Sequence, residues 1–356
     1  HDVLAIDRFL REQDAQQKDI EYKPLYFLAP RGSDADIVAK HVDEFKITKK
    51  ELRDATFASI TKNAFAHFKD AKDGDICLLY YSGHGSQADA PEVFWHTKPD
   101  RQNETMVCVD SRDPNSETAR DIIDKELAYL IWDAINGKDV HCVLIMDCCH
   151  SGNIFRSAAN FDMGKKHEDS GIRYRYVPAG RNMIPFEDYL GYKEGFYKLE
   201  GGNASISVAK YIHMAACRDS EKAQETNTGG LFSTKLIESL RAGGTAKSYR
   251  ELVQGLTVSV NNLAAQQNPV AFAAQNADLD QKFLGTGLKP FQPTYEVRYD
   301  NKYKQWRMYA GTIHNIIPSS ANGKTIVQIG ADTRTEVKEV KGNYSVLDDA
   351  KLSALD

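Results

Sequence analysis

Two short stretches hold side chains suited to chemistry: "YYSGHGSQ" at 80–87 and "DCCHSG" at 147–152. The first sets His84 between Gly83 and Gly85. The second sets two adjacent thiols, Cys148 and Cys149, between the carboxylate of Asp147 and His150. A cysteine attacks carbonyls as its thiolate, and an imidazole in reach takes the thiol proton and later returns one to the leaving amine. Gly85 lets a substrate carbonyl come close to the backbone. Its N–H and that of the nucleophilic cysteine form a candidate oxyanion hole, each donor worth about 3–4 kcal/mol. Together these residues point to acyl transfer on a thiol.

Other uses of the same residues are weaker. Gly-His-Gly alone is a common turn. Cys148, Cys149 and His150 are a poor metal site, because neighbours on a strand end point in opposite directions and no second Cys/His cluster has zinc spacing. A redox role for Cys148–Cys149 would need a strained ring between vicinal cysteines, and there is no Cys-x-x-Cys. A binding module without catalysis stays open as the alternative, although the intact His/Cys pair argues against it.

The elements that must position these residues are legible as apolar runs. Leu25–Ala29, Ile76–Tyr81, Val140–Met146 and Tyr211–Cys217 read as strands of a mostly parallel sheet covered on both faces. Two of them run into the reactive stretches, and sites in such sheets form beyond the carboxyl ends of the strands. Helical periodicity lies between them. Ile60, Ala64 and Phe68 share one face, and Ile123, Leu127, Leu130 and Ile131 share another. "GLFSTKLIESLRAGG", ending in Gly243–Gly244, and "SYRELVQGLTVSVNNL" follow the last strand. This alternation predicts a three-layer α/β/α sandwich over 1–290. Residues 153–205 interrupt it with a long Gly-, Asn- and base-rich insertion that has no sustained period. At 291–356, alternating residues with turn signals at Asp300–Asn301 and Asn322–Gly323 predict a small antiparallel β module.

Composition bounds the class. The 356 residues are 42% hydrophobic and 27% charged, with net charge −5, so no basic field points to nucleic acid. No apolar run approaches the roughly 20 residues that span a bilayer, so no membrane partner is expected. No signal peptide is visible, and the six cysteines form no disulfide framework, so a reducing, cytoplasmic setting is expected. The sequence leaves the oligomeric state open, with a monomer favoured. Cys77, Cys142 and Cys217 lie inside apolar runs and read as core.

The motifs resemble the metacaspase and prokaryotic caspase-like (orthocaspase) branch of the caspase–hemoglobinase clan of cysteine proteases. "NETMVCVDSRD", "DKELAYLI", "HMAACRDSEKAQE", "GLFS", "SYREL" and "QNP" resemble further landmarks in the family's order, over about residues 1–285. The resemblance implies a cysteine endopeptidase with Cys149 as nucleophile and His84 as general base. Gly85 and Cys149 would supply the oxyanion hole, and Cys148 would be core. Ser151 and Gly152 begin the turn that exposes the thiol.

In caspases that cut after aspartate, a neutral Gln stands two residues before the nucleophile. Here Asp147 stands there, and a carboxylate in the first pocket selects Arg or Lys. Asp2, at the family's Asn-Asp position with His1 departing from it, joins Asp147 in the implied pocket. Ser82 joins them, and Asp219 is a third acidic candidate. The expected partners are therefore proteins or peptides with Arg or Lys at the cleaved position. The family's opening apolar strand is absent, so the sheet is expected one strand short, with natural residues preceding His1.

Many metacaspases are switched on by calcium held by carboxylates. The matching "DIIDKEL" has Lys125 where a second acid belongs, and Asn103–Glu104 matches only in part. A lysine ammonium opposes a hard cation, so no cofactor, calcium included, is expected. Arg156, Arg173, Arg175 and Arg181 make the 153–205 segment basic, and it leaves directly from the nucleophile. A tethered basic chain has an effective concentration in the mM range near its anchor. Self-cleavage within this segment, or its use as a plug over the site, is the expectation.

Overall fold

The computed structural model describes residues 1–16, 20–30, 32, 34–98, 100–116, 119–149, 173–178, 184–218, 221–226, 229–242, 246–285, 295–311, 316, 319, 325–330, 333–349 and 352. Asp219, His150, Ser151, Gly152, Arg156, Arg181, Gly243–Gly244, Asn322–Gly323 and most of the basic insertion lie outside these residues. The chain divides into two compact units, His1–Phe291 and Gln292–Asp356.

In chain order the first unit carries strands β1 (Tyr26–Leu28), β2 (Leu52–Asp54), β3 (Ile76–Ser82), β4 (Gly85–Asp89), β5 (Gln102–Met106), β6 (Ile122–Ile123), β7 (His141–Asp147), β8 (Arg173–Tyr174), β9 (Tyr197–Glu200), β10 (Asn203–Ile206), β11 (Ile212–Ala215), β12 (Gln224–Thr226), β13 (Gly229–Gly230) and β14 (Val270–Ala273). Its helices are α1 (Asp2–Gln16), α2 (Asp34–Phe45), α3 (Phe57–Ser59), α4 (Phe65–Lys69), α5 (Asp124–Ile135), α6 (Leu231–Arg241) and α7 (Tyr249–Asn261).

The central sheet has the order β14–β11–β7–β3. β3, β7 and β11 are parallel and β14 is antiparallel at one edge. Every residue of β7 is buried, and its period of two divides it between two layers. Cys142, Leu144, Met146 and Cys148 pack with Phe65, Phe68, Leu127 and Ile131 on one side. Val143, Ile145 and Cys149 pack with Phe9, Phe232, Leu236 and Leu252 on the other. Each fully buried Leu or Ile contributes about 1.5–3 kcal/mol, so the middle strand anchors both helical layers. The two adjacent thiols thus belong to opposite faces. α7 starts on a capping box in which Ser248 Oγ accepts from Glu251 N at 3.2 Å and Glu251 Oε2 accepts from Ser248 N at 2.8 Å.

Local structure departs from the sequence reading at several points, among them a β9–β10 hairpin inside the insertion and a separate β4–β5–β6 sheet. The run at Leu25–Ala29 does form a strand, β1, but it pairs in parallel with β2 in a separate two-stranded sheet. Only Tyr26 of that strand is buried, so it lacks the two-sided burial that would draw it into the central sheet. β3 is consequently the edge of the four-stranded sheet. The 60–68 helix is broken: a π-helical stretch, Ile60–Ala64, separates α3 from α4. β14 arises where no strand was read, from "VAFA". Among the described residues, no helix is long and apolar enough to cross a membrane.

The second unit is an antiparallel sheet of β15 (Val297–Asp300), β16 (Gln305–Met308), β17 (Ile326–Ile329), β18 (Thr333–Val340) and β19 (Ser345–Leu347), ordered β15–β16–β19–β18–β17. Met308, Ala310, Val337, Leu347 and Leu352 form its core. Asp300 Oδ1 accepts from the N–H groups of Lys302 and Tyr303 at 2.9 and 3.1 Å, an Asx turn that closes the first hairpin.

Candidate active site

Register brings the two reactive stretches together. β3 and β7 run in step from Ile76↔His141 to Ser82↔Asp147, and Gly83 N–H extends the ladder to Asp147 O at 3.3 Å. His84 and Cys149 each stand two residues beyond the Ser82↔Asp147 pair. The His84 carbonyl is pinned by Tyr81 Oη at 2.7 Å and by Val107 N at 3.1 Å. His84 is exposed, whereas Cys149 is fully buried. Gly85 lies against the Cys149 backbone so closely that a Cβ there would sit 1.9 Å from Cys149 O. No other residue fits, so the tight contact that joins the two strand ends explains this glycine.

The thiol of Cys149 lies 3.7 Å from Ala223 O. Burial pushes its pKa up to about 12. The resting group is therefore a protonated thiol, and it needs a base to become a nucleophile. Cys148, on the opposite face, is also pushed up by burial.

A carbonyl already occupies the two backbone donors. Gly85 N–H and Cys149 N–H both point at Arg175 O, at 2.9 and 3.2 Å. The Arg175 side chain runs into an acidic pocket between the two strand ends. Its Nη1 donates to Ser82 Oγ at 2.5 Å and to Asp147 O at 3.0 Å, and its Nη2 donates to Asp2 Oδ2. Asp147 Oδ2 is 3.6 Å from Nη1, and Glu225 Oε2 is 3.6 Å from Nε.

The acids are themselves held. Asp2 Oδ2 accepts from Ser82 Oγ at 2.7 Å and from Gly230 N at 3.0 Å. Asp147 Oδ2 accepts from Ser233 N at 3.0 Å and from Ser233 Oγ. Burial pushes the Asp147 carboxyl above its ordinary range, and the Arg175 charge offsets this only in part. Burial pulls the Arg175 guanidinium down, but Asp147 and Asp2 outweigh it and hold it charged.

The structure thus brings Asp2, Ser82 and Asp147 into one pocket beside Gly85 and Cys149, and places His84 next in the chain to Gly85. Residues the sequence reading missed complete that pocket. A Cβ at Gly229, whose φ is +136°, would lie 2.0 Å from Asp2 Oδ1, and one at Gly230 would lie 2.1 Å from Asp147 Oδ2. Ser233 and the Ala223 carbonyl are the others. The "GLFS" stretch, Gly230 to Ser233, carries the sequence signal for Gly230 and Ser233, and "HMAACRDSEKAQE" contains Ala223.

A model of the family described as "Caspase domain" matches residues 22–280. The chain belongs to the caspase-domain family. Its relatives among characterised proteins include Metacaspase-2 of Trypanosoma brucei brucei, 23% identical over 62% of this chain and 57% of that protein. Metacaspase-6 of Arabidopsis thaliana is 28% identical over 39% of this chain and 36% of that protein. The chain thus spans little more than half the length of the trypanosome relative. A solved structure from Geobacter sulfurreducens aligns over 73% of this chain and 90% of its own, with TM-score 0.44 and 21% identity.

A second buried ionic cluster lies apart from the pocket in this caspase domain. Asp124 Oδ2 meets Lys125 Nζ at 2.7 Å and Lys98 Nζ at 3.2 Å, and all three side chains are buried. Burial raises the Asp124 pKa, but the two ammonium groups outweigh it and hold the carboxylate ionised. Among the described residues, no group of three or more His, Cys, Asp or Glu side chains is arranged to hold a metal ion.

Proposed function

We propose that this caspase domain is a cysteine endopeptidase that cuts after Arg or Lys. One observation carries the reading: a guanidinium sits between Asp2 and Asp147 while the carbonyl of the same residue accepts from Gly85 and Cys149 N–H. That is how a basic residue preceding a scissile bond must lie. In the reaction His84 takes the Cys149 proton, and the thiolate attacks the carbonyl carbon. The oxyanion grows into the two N–H groups, which cost little to reorganise because the start of β4 and the end of β7 hold them. His84 then protonates the leaving amine, and water releases the acyl group from sulfur.

The pocket argues for basic over acidic residues on charge alone. An Asp side chain there would face two carboxylates with no cation, whereas Arg meets them in a fork. We further propose that calcium is not required, because Lys98 and Lys125 already supply positive charge at Asp124. The rival reading is a catalytically silent module. A peptidyl chloromethyl ketone ending in Arg separates the two: alkylation of Cys149 mapped by mass spectrometry, dependent on His84 and not produced by the Asp analogue, is the expected result. A Cys149 that stays unmodified in folded protein, or reacts equally with both reagents, would overturn the reading.

A further inference from the structure

The donors that hold Asp147 lead, past Ser233, to a side chain the mechanism does not use. We propose that Tyr80, acting through Ser233, keeps the Asp147 carboxylate ionised and fixed in the pocket, and so sets the pH below which the site stops taking basic residues. The inference rests on the reading of Asp147 as a wall of a pocket for Arg or Lys. Tyr80 is thus a positioning residue, one that acts on specificity through its neighbour.

Alternation along β3 sets Tyr80 and Ser82 on one face and Tyr81 on the other. Tyr80 packs against the layer that contains Phe9, Phe232 and Leu236, and Tyr81 against the opposite layer. A phenyl ring would pack there equally well, so the hydroxyl of Tyr80 answers to something else. It lies 2.5 Å from Ser233 Oγ, across 153 residues of chain. Ser233 is the third residue of α6, so its N–H is one of the first-turn donors that have no partner inside the helix. That N–H donates to Asp147 Oδ2 at 3.0 Å, and the Ser233 hydroxyl donates to the same oxygen. A hydroxyl has one proton to give. With that proton on Asp147, Ser233 Oγ meets Tyr80 as an acceptor, and Tyr80 is the donor. The order runs from Tyr80 O–H to Ser233 O–H to the carboxylate, and donors in such a series polarise one another.

Asp147 has little other support. Its Oδ1 is buried and has no hydrogen-bond partner among the described residues, so the carboxylate hangs on Ser233 through Oδ2. Arg175 Nη1, at 3.6 Å from Oδ2, is within ion-pair range only. Burial pushes the Asp147 pKa up most strongly, Arg175 pulls it down, Asp2 pushes it up, and the two Ser233 donors pull it down. The other titratable groups that face it are the thiols of Cys148, Cys149 and Cys217 and the Tyr80 phenol, and burial keeps all four protonated. None of these supplies a positive charge. In a pocket without a cation, the Ser233 donors and Tyr80 behind them are what hold Asp147 ionised against burial and against Asp2.

The sign follows. Removing the phenol hydroxyl weakens Ser233 as a donor, so Asp147 takes up its proton at a higher pH. A neutral Asp147 no longer attracts a guanidinium by charge. Uptake of basic residues should then fail at a higher pH than in wild type, while uptake of uncharged residues should not follow that change.

The test measures the second-order rate of Cys149 labelling by two peptidyl chloromethyl ketones across the acid and neutral range. One ends in Arg and the other in citrulline, its uncharged near-isostere. Ionisation of Cys149 and His84 affects both reagents alike, so the Arg-to-citrulline ratio isolates the pocket. Tyr80→Phe, Ser233→Ala and Ser233→Thr are made in an Arg175→Ala background, and the same series in the otherwise native chain keeps the test if Arg175→Ala misfolds. The parent ratio should be level near neutral pH and fall on the acid side. Tyr80→Phe should move that fall up by about half a pH unit, which is about threefold in the ratio at a fixed acid pH, and Ser233→Ala by about one to two units. Ser233→Thr keeps the hydroxyl and should stay near the parent. No acid-side fall, a fall that stays put in Tyr80→Phe, or a ratio lowered equally at every pH overturns the relay and leaves the pocket reading standing. Equal labelling of the parent by the two reagents at neutral pH, or no labelling, overturns the pocket reading as well.

Discussion

Asp147→Asn isolates the charge that the first pocket places beneath a basic side chain. At 3.6 Å between Asp147 Oδ2 and a guanidinium nitrogen, an effective dielectric of about 20 gives an attraction of roughly 4–5 kcal/mol. Not all of it is lost. Asp2 remains as a second carboxylate, an Asn oxygen can still accept from Ser233, and removing a buried charge recovers part of its burial cost. A net loss of about 2–3 kcal/mol remains, or about 30- to 150-fold in kcat/KM for Arg substrates. The assay is steady-state hydrolysis of Arg and Lys reporters in an Arg175→Ala background, so that the tethered side chain does not compete. KM should carry most of the change, since the charge is equally present in ground and transition states. The pH dependence adds a second readout. Burial raises the Asp147 pKa, and only its ionised form attracts a cation. Binding of basic peptides should therefore weaken as pH falls through that raised value, and Asp147→Asn should lack this limb. An Arg preference and pH profile unchanged in Asp147→Asn would refute the pocket assignment.

Three further outcomes follow from named contacts. Cys149→Ala should abolish peptide cleavage, while Cys148→Ala should keep it at a stability cost of about 1–2 kcal/mol, measured by urea denaturation, because Cys148 packs in the opposite layer. Gly85→Ala should lose activity in protein whose far-UV circular dichroism is native, since its Cβ would fall 1.9 Å from Cys149 O; full activity in that variant would contradict the close approach. Peptide hydrolysis should be the same in millimolar calcium and in chelator, and a calcium requirement would show that the charges of Lys98 and Lys125 do not suffice at Asp124.

What was legible in the sequence is what local pattern encodes. "CVLIMD" shows as a strand because both of its faces are apolar, and the reactive ends of β3 and β7 show because Gly, His and Cys types cluster there. Their juxtaposition follows from the rule that sites lie beyond the carboxyl ends of parallel strands. The in-step register that ends at Ser82↔Asp147, after which Gly85 comes against Cys149, is a property of the pairing and has no local signal. Ser233 reaches Asp147 across 86 residues, and Gly229 and Gly230 are shaped by acids on other elements, so no spacing rule could find them. Arg175 was visible only as one base among several in the insertion. Its seat depends on strand pairing with β12 and on the Gly85 backbone, both remote in sequence. Leu25–Ala29 failed as a central strand because apolar content does not name a strand's partner.

The most direct test of the peptidase reading is a panel of fluorogenic peptides identical except for Arg, Lys or Asp at the cleaved position, run with wild type and Cys149→Ala. Arg and Lys peptides cut by wild type alone, with the Asp peptide untouched, is the predicted result. Cleavage of the Asp peptide, or equal turnover by Cys149→Ala, would contradict the roles assigned to Asp2, Asp147 and Cys149.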